Sequence, residues 1–260
     1  MKRVVSLICL VLLANLSPAA VKDHPIDYKF DGVTLKGHLF YDDAVKGPLP
    51  GVVVVHEWWG LDEYAKKRAT MVAELGYVAF CADMYGDGAV TEHPMKAGEM
   101  AGMVRKNKDV WLGRANAAIE TLQKQPQVDP KKIAIMGYCF GGTTSLMVAL
   151  SGHADVKAAV SFHGALPAVT ADDAKKVKAK VLVCHGADDS FIKDEAVAGF
   201  KKAFDDAKVH YEFESYPGAV HSFTVKGAED RGIKGMAYNE EADKKSWASM
   251  QKVLKEAFAK

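Results

Sequence analysis

The sequence predicts an α/β fold, a mostly parallel twisted sheet with helices on both faces. Two observations carry this. Short apolar runs typical of strands covered on both sides, such as Gly-Val-Val-Val-Val-His at 51–56, alternate along most of the chain with stretches of helical spacing. Such alternation builds right-handed βαβ crossovers, and therefore a parallel sheet. No internal repeat or low-complexity linker interrupts it, so a single domain is expected over residues 21–260.

The elements follow in order. Residues 28–42 hold two extended stretches around Asp31-Gly32, a dipeptide suited to a tight hairpin turn, so an antiparallel pair should begin the sheet. After the strand at 51–56, a helix is expected over 62–75, where Leu61, Tyr64, Ala65, Met71, Val72 and Leu75 have helical spacing and Gly76 supplies the cap. A strand at 77–81, a helix at 109–123, a strand at 132–136 and a helix at 142–151 come next. Strands at 156–162 and 180–185, a helix at 194–207, a strand at 210–216 and a last helix at 239–258 complete the chain. Segment 83–107, rich in Gly, Met, Lys and Glu and carrying Pro94, shows no assignable element. Beside the C-terminal ends of the strands, a segment of that length is suited to line a pocket.

Composition narrows the function classes. The 34 basic residues nearly cancel the 33 acidic ones, and no run of like charge suggests a nucleic-acid arm, so a small-molecule partner is expected. Residues 1–20 place Lys2 and Arg3 before an apolar run at 4–13 and then small residues, the layout of a signal peptide cleaved after Ala19 or Ala20. The run is shorter than the roughly 20 apolar residues a bilayer crossing needs. A secreted or periplasmic protein with no membrane attachment after cleavage is therefore expected, as a monomer or small homo-oligomer. Of the 4 cysteines, cleavage removes Cys9 and leaves Cys81, Cys139 and Cys184, which cannot all pair. Cys81 and Cys184 close apolar strand-like runs and read as buried small hydrophobes.

The strongest chemical signal is Gly137-Tyr138-Cys139-Phe140-Gly141-Gly142, set directly between an apolar strand and a helix. This is the Gly-x-nucleophile-x-Gly elbow with cysteine as nucleophile. Its sharp turn leaves no room for side chains at the flanking glycines, and the following helix points its N-terminus at the sulfur, which favours the thiolate. Such a nucleophile needs a base, and the base an orienting carboxylate. Asp188-Asp189 after one strand and His221 after the next supply both in the order nucleophile, acid, histidine. The Gly-x-x-Asp step from Gly186 favours Asp189, with Asp188 the alternative. The oxyanion would be held by the N–H groups of Phe140 and Trp58. Glu57, at the tip of a buried-type strand, should have a raised pKa and could hydrogen-bond the resting thiol. Trp58, Trp59 and Tyr85 are the candidate substrate contacts. The remaining histidines lack metal-ligand spacing, so no metal is expected.

Over nearly all of residues 21–260 the chain resembles the dienelactone hydrolase family. The resemblance rests on Glu-x-x-Gly at 57–60, Ala-Asp-Met-Tyr at 82–85, Gly-Tyr-Cys-Phe-Gly at 137–141, the Gly-x-x-Asp-x-Phe-Ile run ending at Ile192, and His-Ser-Phe at 221–223. It implies an α/β-hydrolase fold, a Cys139/Asp189/His221 triad, a thiol held in check by Glu57, and no metal or organic cofactor. The chain departs from the family's lactonases at two places. Those enzymes grip a substrate carboxylate with arginines, one shortly after the Asp-x-Tyr stretch and one four residues beyond the catalytic histidine. Here those places hold Asp87 or its neighbours and Val225, leaving Lys226 or Arg105 as possible replacements.

The expected activity is hydrolysis of small carboxylic esters or lactones through an acyl thioester on Cys139, with neutral activated substrates accepted at least as well as dienelactone. Two other classes fit the same residues: a noncatalytic, redox-sensing thiol, and a cysteine peptidase or acyltransferase.

Overall fold

The computed structural model describes residues 21–44 and 46–259. The leader expected at 1–20 lies outside the described residues. Eight strands form one sheet in the order β1-β2-β4-β3-β5-β6-β7-β8. β1 (Val21–Phe30) and β2 (Val33–Asp42) are the expected antiparallel hairpin. Asp31 and Gly32 turn it with φ of 48° and 75°, values that an Asp-Gly pair tolerates and β-branched residues do not. β2 joins the rest of the sheet by pairing antiparallel with β4 (Val78–Ala82). From there the sheet is parallel through β3 (Leu49–Val55), β5 (Val128–Tyr138), β6 (Val156–Phe162), β7 (Lys180–Gly186) and β8 (Tyr211–Tyr216).

The central strands are apolar on both faces because both faces are covered. Val53 and Val55 of β3 pack into a core with helix α3 (Lys108–Gln123), helix α4 (Phe140–Leu150) and, farther along the sheet, helix α6 (Asp194–Asp206). Val52 and Val54 face the opposite core, built with helix α1 (Glu63–Glu74) and helix α7 (Glu240–Phe258). Burying each such valine contributes about 1.5 to 3 kcal/mol, which fixes the strand's register between its neighbours.

Two α-helices appear where the sequence shows none. Segment 83–107 contains helix α2 (Pro94–Arg105), and a one-turn helix α5 (Ala171–Ala174) follows β6. α2 buries only Ala97, Met100, Ala101 and Val104, and Gly98 and Gly102 in its interior weaken the helical pattern. Ahead of it, the Asp83 carboxylate accepts the N–H groups of Tyr85, Gly86, Gly88 and Lys36, fixing the turn that leads from β4 toward α2. α4 begins two residues before the position expected from its glycines, because the bend is concentrated at Cys139 and the chain is already helical at Phe140.

Candidate active site

Cys139 is the N-cap of α4, with φ 51° and ψ −110°, a conformation a non-glycine residue holds only under constraint. The constraint is visible in its neighbours. A Cβ on Gly137 would lie 2.3 Å from the Gly141 carbonyl carbon, and one on Gly141 would lie 2.2 Å from the Val55 carbonyl oxygen. Only glycines let α4 approach β5 and β3 this closely, and the approach lifts the thiol to the end of the strand. The Cys139 N–H donates to Phe162 O at 3.0 Å and also faces His163 Nδ1 at 3.2 Å. Cys139 is half-buried, whereas Cys81 and Cys184 are fully buried, and burial pushes both of those thiols upward in pKa.

Loops after the next strands bring the base and the acid. Asp189 is buried, with Oδ2 2.7 Å from His221 Nδ1 and Oδ1 accepting the Phe191 N–H at 2.9 Å. Asp188 is exposed; its N–H donates to Ala219 O at 3.0 Å. The geometry therefore selects Asp189. Burial opposes protonation of His221, but the adjacent Cys139 sulfur and the Asp189 carboxylate outweigh it and hold the imidazolium well above the usual histidine range.

Glu57 departs from expectation in its partner. Its Oε1 accepts a hydrogen bond from Ser222 Oγ at 2.9 Å, and among the described residues no hydrogen bond joins it to Cys139. The turn after His221 places Ser222 at φ 54°, with its hydroxyl between the two loops. Burial raises the Glu57 pKa, with His221 and Ser222 opposing the rise.

The candidate oxyanion donors lie at the start of α4 and in the turn after β3. Phe140 is the first residue of α4, so its N–H has no carbonyl one turn back. Trp58 lies in the turn after β3, and among the hydrogen bonds of the described residues its N–H has no acceptor.

A cavity of about 270 Å³ opens on Cys139 and His221, walled by Trp58, Ala165, Phe191, Ile233, Met236 and Arg105. Trp58 is thus placed as expected, but Trp59 and Tyr85 are not. Trp59 is 1 % exposed and packs beneath Trp58, their ring centres 4.7 Å apart, with the Arg231 guanidinium 4.3 Å from its ring centre. Tyr85 spends its hydroxyl on Trp58 O at 2.9 Å and lines a neighbouring hollow of about 110 Å³. Asp87 and Lys226 each line other hollows, and Val225 is buried. Among the described residues that wall the Cys139 cavity, Arg105, at the C-terminal end of α2, is the one Lys or Arg, its guanidinium 5.4 Å from the Phe140 ring centre. Phe191 belongs to the Gly-x-x-Asp-x-Phe-Ile run, whereas Ala165, Ile233 and Met236 carry no signal in the sequence, since loop order says nothing about which tips converge. Among the described residues no group of three metal-ligating side chains is assembled.

Residues 35–258 match the dienelactone hydrolase family. The chain belongs to that family. Protein usf of Aquifex pyrophilus is 30% identical over 209 residues, covering 79% of this chain and 88% of that protein. Among solved structures, the dienelactone hydrolase-like promiscuous phosphotriesterase P91 from metagenomic libraries is 38% identical, with a TM-score of 0.87 over 91% of this chain and 98% of that one. The protein m3DLH is 36% identical, with a TM-score of 0.88 over 92% and 99%. This member of the dienelactone hydrolase family is an α/β-hydrolase, a hydrolase of carboxylic ester or lactone bonds.

Proposed function

We propose that this dienelactone hydrolase-family protein opens small esters and lactones with Cys139 as nucleophile. The observation that carries the reading is the placement of His221 between the Asp189 carboxylate and the Cys139 sulfur, with its pKa raised by both. His221, held as an imidazolium, faces the Cys139 sulfur, which attacks as its thiolate. The thiolate attacks the carbonyl carbon, and the oxyanion is held by the N–H groups of Phe140 and Trp58. As the tetrahedral adduct collapses, the C–O bond breaks and His221 gives its proton to the leaving oxygen, leaving an acyl thioester. Acylation removes the sulfur's negative charge, so the proton affinity of His221 falls. It then accepts a proton from water, which attacks the thioester and releases the acid.

Burial raises the Glu57 pKa, and through Ser222 its carboxyl fixes the turn that carries His221. The apolar walls suit a small acyl or enol group, and Arg105 offers an anchor for an anionic substituent. The likeness to P91, together with the apolar wall formed by Trp58, Phe191, Ile233 and Met236, supports a second activity on neutral aryl phosphotriesters. The chain is exported in this reading, as the leader composition at 1–20 suggests.

Trapping the acyl enzyme tests the mechanism. Acid quenching during turnover of a p-nitrophenyl ester should leave the acyl mass on the Cys139 peptide, and Cys139→Ala should abolish both the adduct and turnover. An acyl adduct elsewhere, or full activity in Cys139→Ala, overturns the assignment. A redox sensor would show a reactive thiol with no ester turnover.

A further inference from the structure

His56, the residue before Glu57, is fully buried and makes two directional hydrogen bonds that the mechanism above does not use. Its Nε2 accepts the Met84 N–H at 3.2 Å, which requires that Nε2 be unprotonated. The ring's proton therefore sits on Nδ1, which donates to the Glu57 carbonyl oxygen. Burial favours this neutral ring over the imidazolium. The edges of the ring thus tie the loop after β3 to the loop after β4. Its face stacks 5.9 Å from the Phe140 ring at an interplanar angle of 16°.

The Glu57 carbonyl belongs to the same peptide unit as the Trp58 N–H. Among the described residues no peptide bond is cis, so in this planar unit the N–H points opposite to the C=O. Pinning the carbonyl on His56 aims the N–H away from His56. The following carbonyl, that of Trp58, is pinned in turn by the Tyr85 hydroxyl at 2.9 Å. A loop amide free to rotate would gain nothing as an oxyanion donor, because its reorientation would cost as much as a solvent donor's; donors stabilise a transition state when they are preorganised.

We infer that His56 is a positioning residue that holds the Glu57–Trp58 peptide so that the Trp58 N–H faces the oxyanion formed at Cys139. The inference rests on the nucleophile assigned above. His56 touches no reacting atom. It acts through a peptide whose only chemical task is to meet negative charge on the substrate oxygen.

The test compares His56→Leu, which fills the site without hydrogen bonds, with His56→Gln, whose amide can both donate and accept. Three readouts separate positioning from general damage. One is kcat and KM on a p-nitrophenyl ester. Another is inhibition by an aryl trifluoromethyl ketone, which forms an oxyanionic adduct with a thiol. The third is the rate of Cys139 alkylation by iodoacetamide, a substitution that develops no oxyanion. His56→Leu should lower kcat by about a hundredfold, the loss typical of removing one oxyanion donor. It should weaken the ketone by a similar factor and leave KM and the alkylation rate within about twofold. His56→Gln should recover at least tenfold of the lost kcat. Equal losses in alkylation and turnover, a Gln variant no better than Leu, or unchanged kcat in His56→Leu would each overturn the inference. Parallel assays of Cys139→Ala keep the two readings apart. If that variant is active the nucleophile assignment fails, whereas an inactive Cys139→Ala beside a normal His56→Leu removes only the role of His56.

Discussion

Asp189 Oδ2 lies 2.7 Å from His221 Nδ1, while its neighbour Asp188 points to solvent. The bond selects the tautomer that turns Nε2 toward the sulfur and stabilises the imidazolium. Asp189→Asn should therefore lower kcat by up to about ten-thousandfold with the fold retained. Asp188→Asn should stay within about twofold, since its side chain faces water. Steady-state kinetics on one activated ester, with circular dichroism as the folding control, checks both.

The raised pKa of His221 sets a pH signature. A group protonated well above the usual histidine range keeps its proton through neutral pH and loses it only as pH climbs through the raised value. Acylation by alkyl esters, whose leaving oxygen must be protonated, should thus fall on the alkaline side of pH 7. Acylation by p-nitrophenyl esters, which leave as stable anions, should not fall there. Asp189→Asn removes one of the two raising partners, so it should move the alkaline limb for alkyl esters to lower pH. Single-turnover pH profiles with the two leaving groups make the comparison, and identical profiles would contradict it.

Glu57 gives a stability signature of known sign. Burial raises its folded-state pKa above the unfolded value of about 4.3, so the folded state binds the proton more tightly. Its contribution to stability is present below the unfolded pKa and is lost as pH rises through the folded one. Glu57→Gln keeps an acceptor for Ser222 and removes the titration. It should flatten the dependence of unfolding free energy on pH above about 4 and raise stability at pH 7 relative to the parent. Activity should drop in the same variant, because sites that bury an acid give up stability for function. Urea midpoints from pH 4 to 8 for both proteins read this out.

Much of this site is written in local patterns. The elbow is legible because Gly137 and Gly141 are required sterically, and the Gly-x-x-Asp step from Gly186 distinguishes Asp189 from Asp188. Strand and helix positions follow from apolar periodicity to within a few residues, apart from the longer β1 and β5. What the sequence hides depends on tertiary approach. Trp58 and Trp59 are equivalent as letters, and only the folded packing, with Trp58 in the cavity wall and Trp59 buried against it, tells them apart. α2 is obscured by two interior glycines. His56 and His163 fail a test for metal-ligand spacing, which asks nothing about backbone carbonyls or amides. A histidine at the tip of a buried strand beside the residues of an oxyanion loop is the signal that points to His56. For His163 the corresponding signal is weaker, since its contact with Cys139 crosses between two strands.

Substrate charge is where the structure most changes the expectation from sequence. Both arginine positions of the family's lactonases lack arginine here, and Asp87, which could have repelled an anion, lines a separate hollow. The cavity instead carries Arg105, exposed at the end of α2 and lining the same cavity as Cys139. A guanidinium makes charge-assisted bonds with a carboxylate. Water screens an exposed one, so its contribution stays at the low end of the range for charged hydrogen bonds, about tenfold in kcat/KM. One screened cation cannot equal two that enclose the ligand. Anionic lactones and neutral activated esters of the same size should therefore be turned over within about tenfold of each other at low salt. Added salt should narrow the gap, because screening weakens only the charged contact. Arg105→Gln should lower kcat/KM for the anionic lactone by about tenfold and leave the neutral ester within twofold. Lys226→Ala should change neither, since Lys226 sits 5.5 Å from the Tyr238 ring centre in another hollow. Measured kcat/KM for both substrates at two ionic strengths decides the matter. A hundredfold anionic preference that survives Arg105→Gln would place the anion on a group other than Arg105.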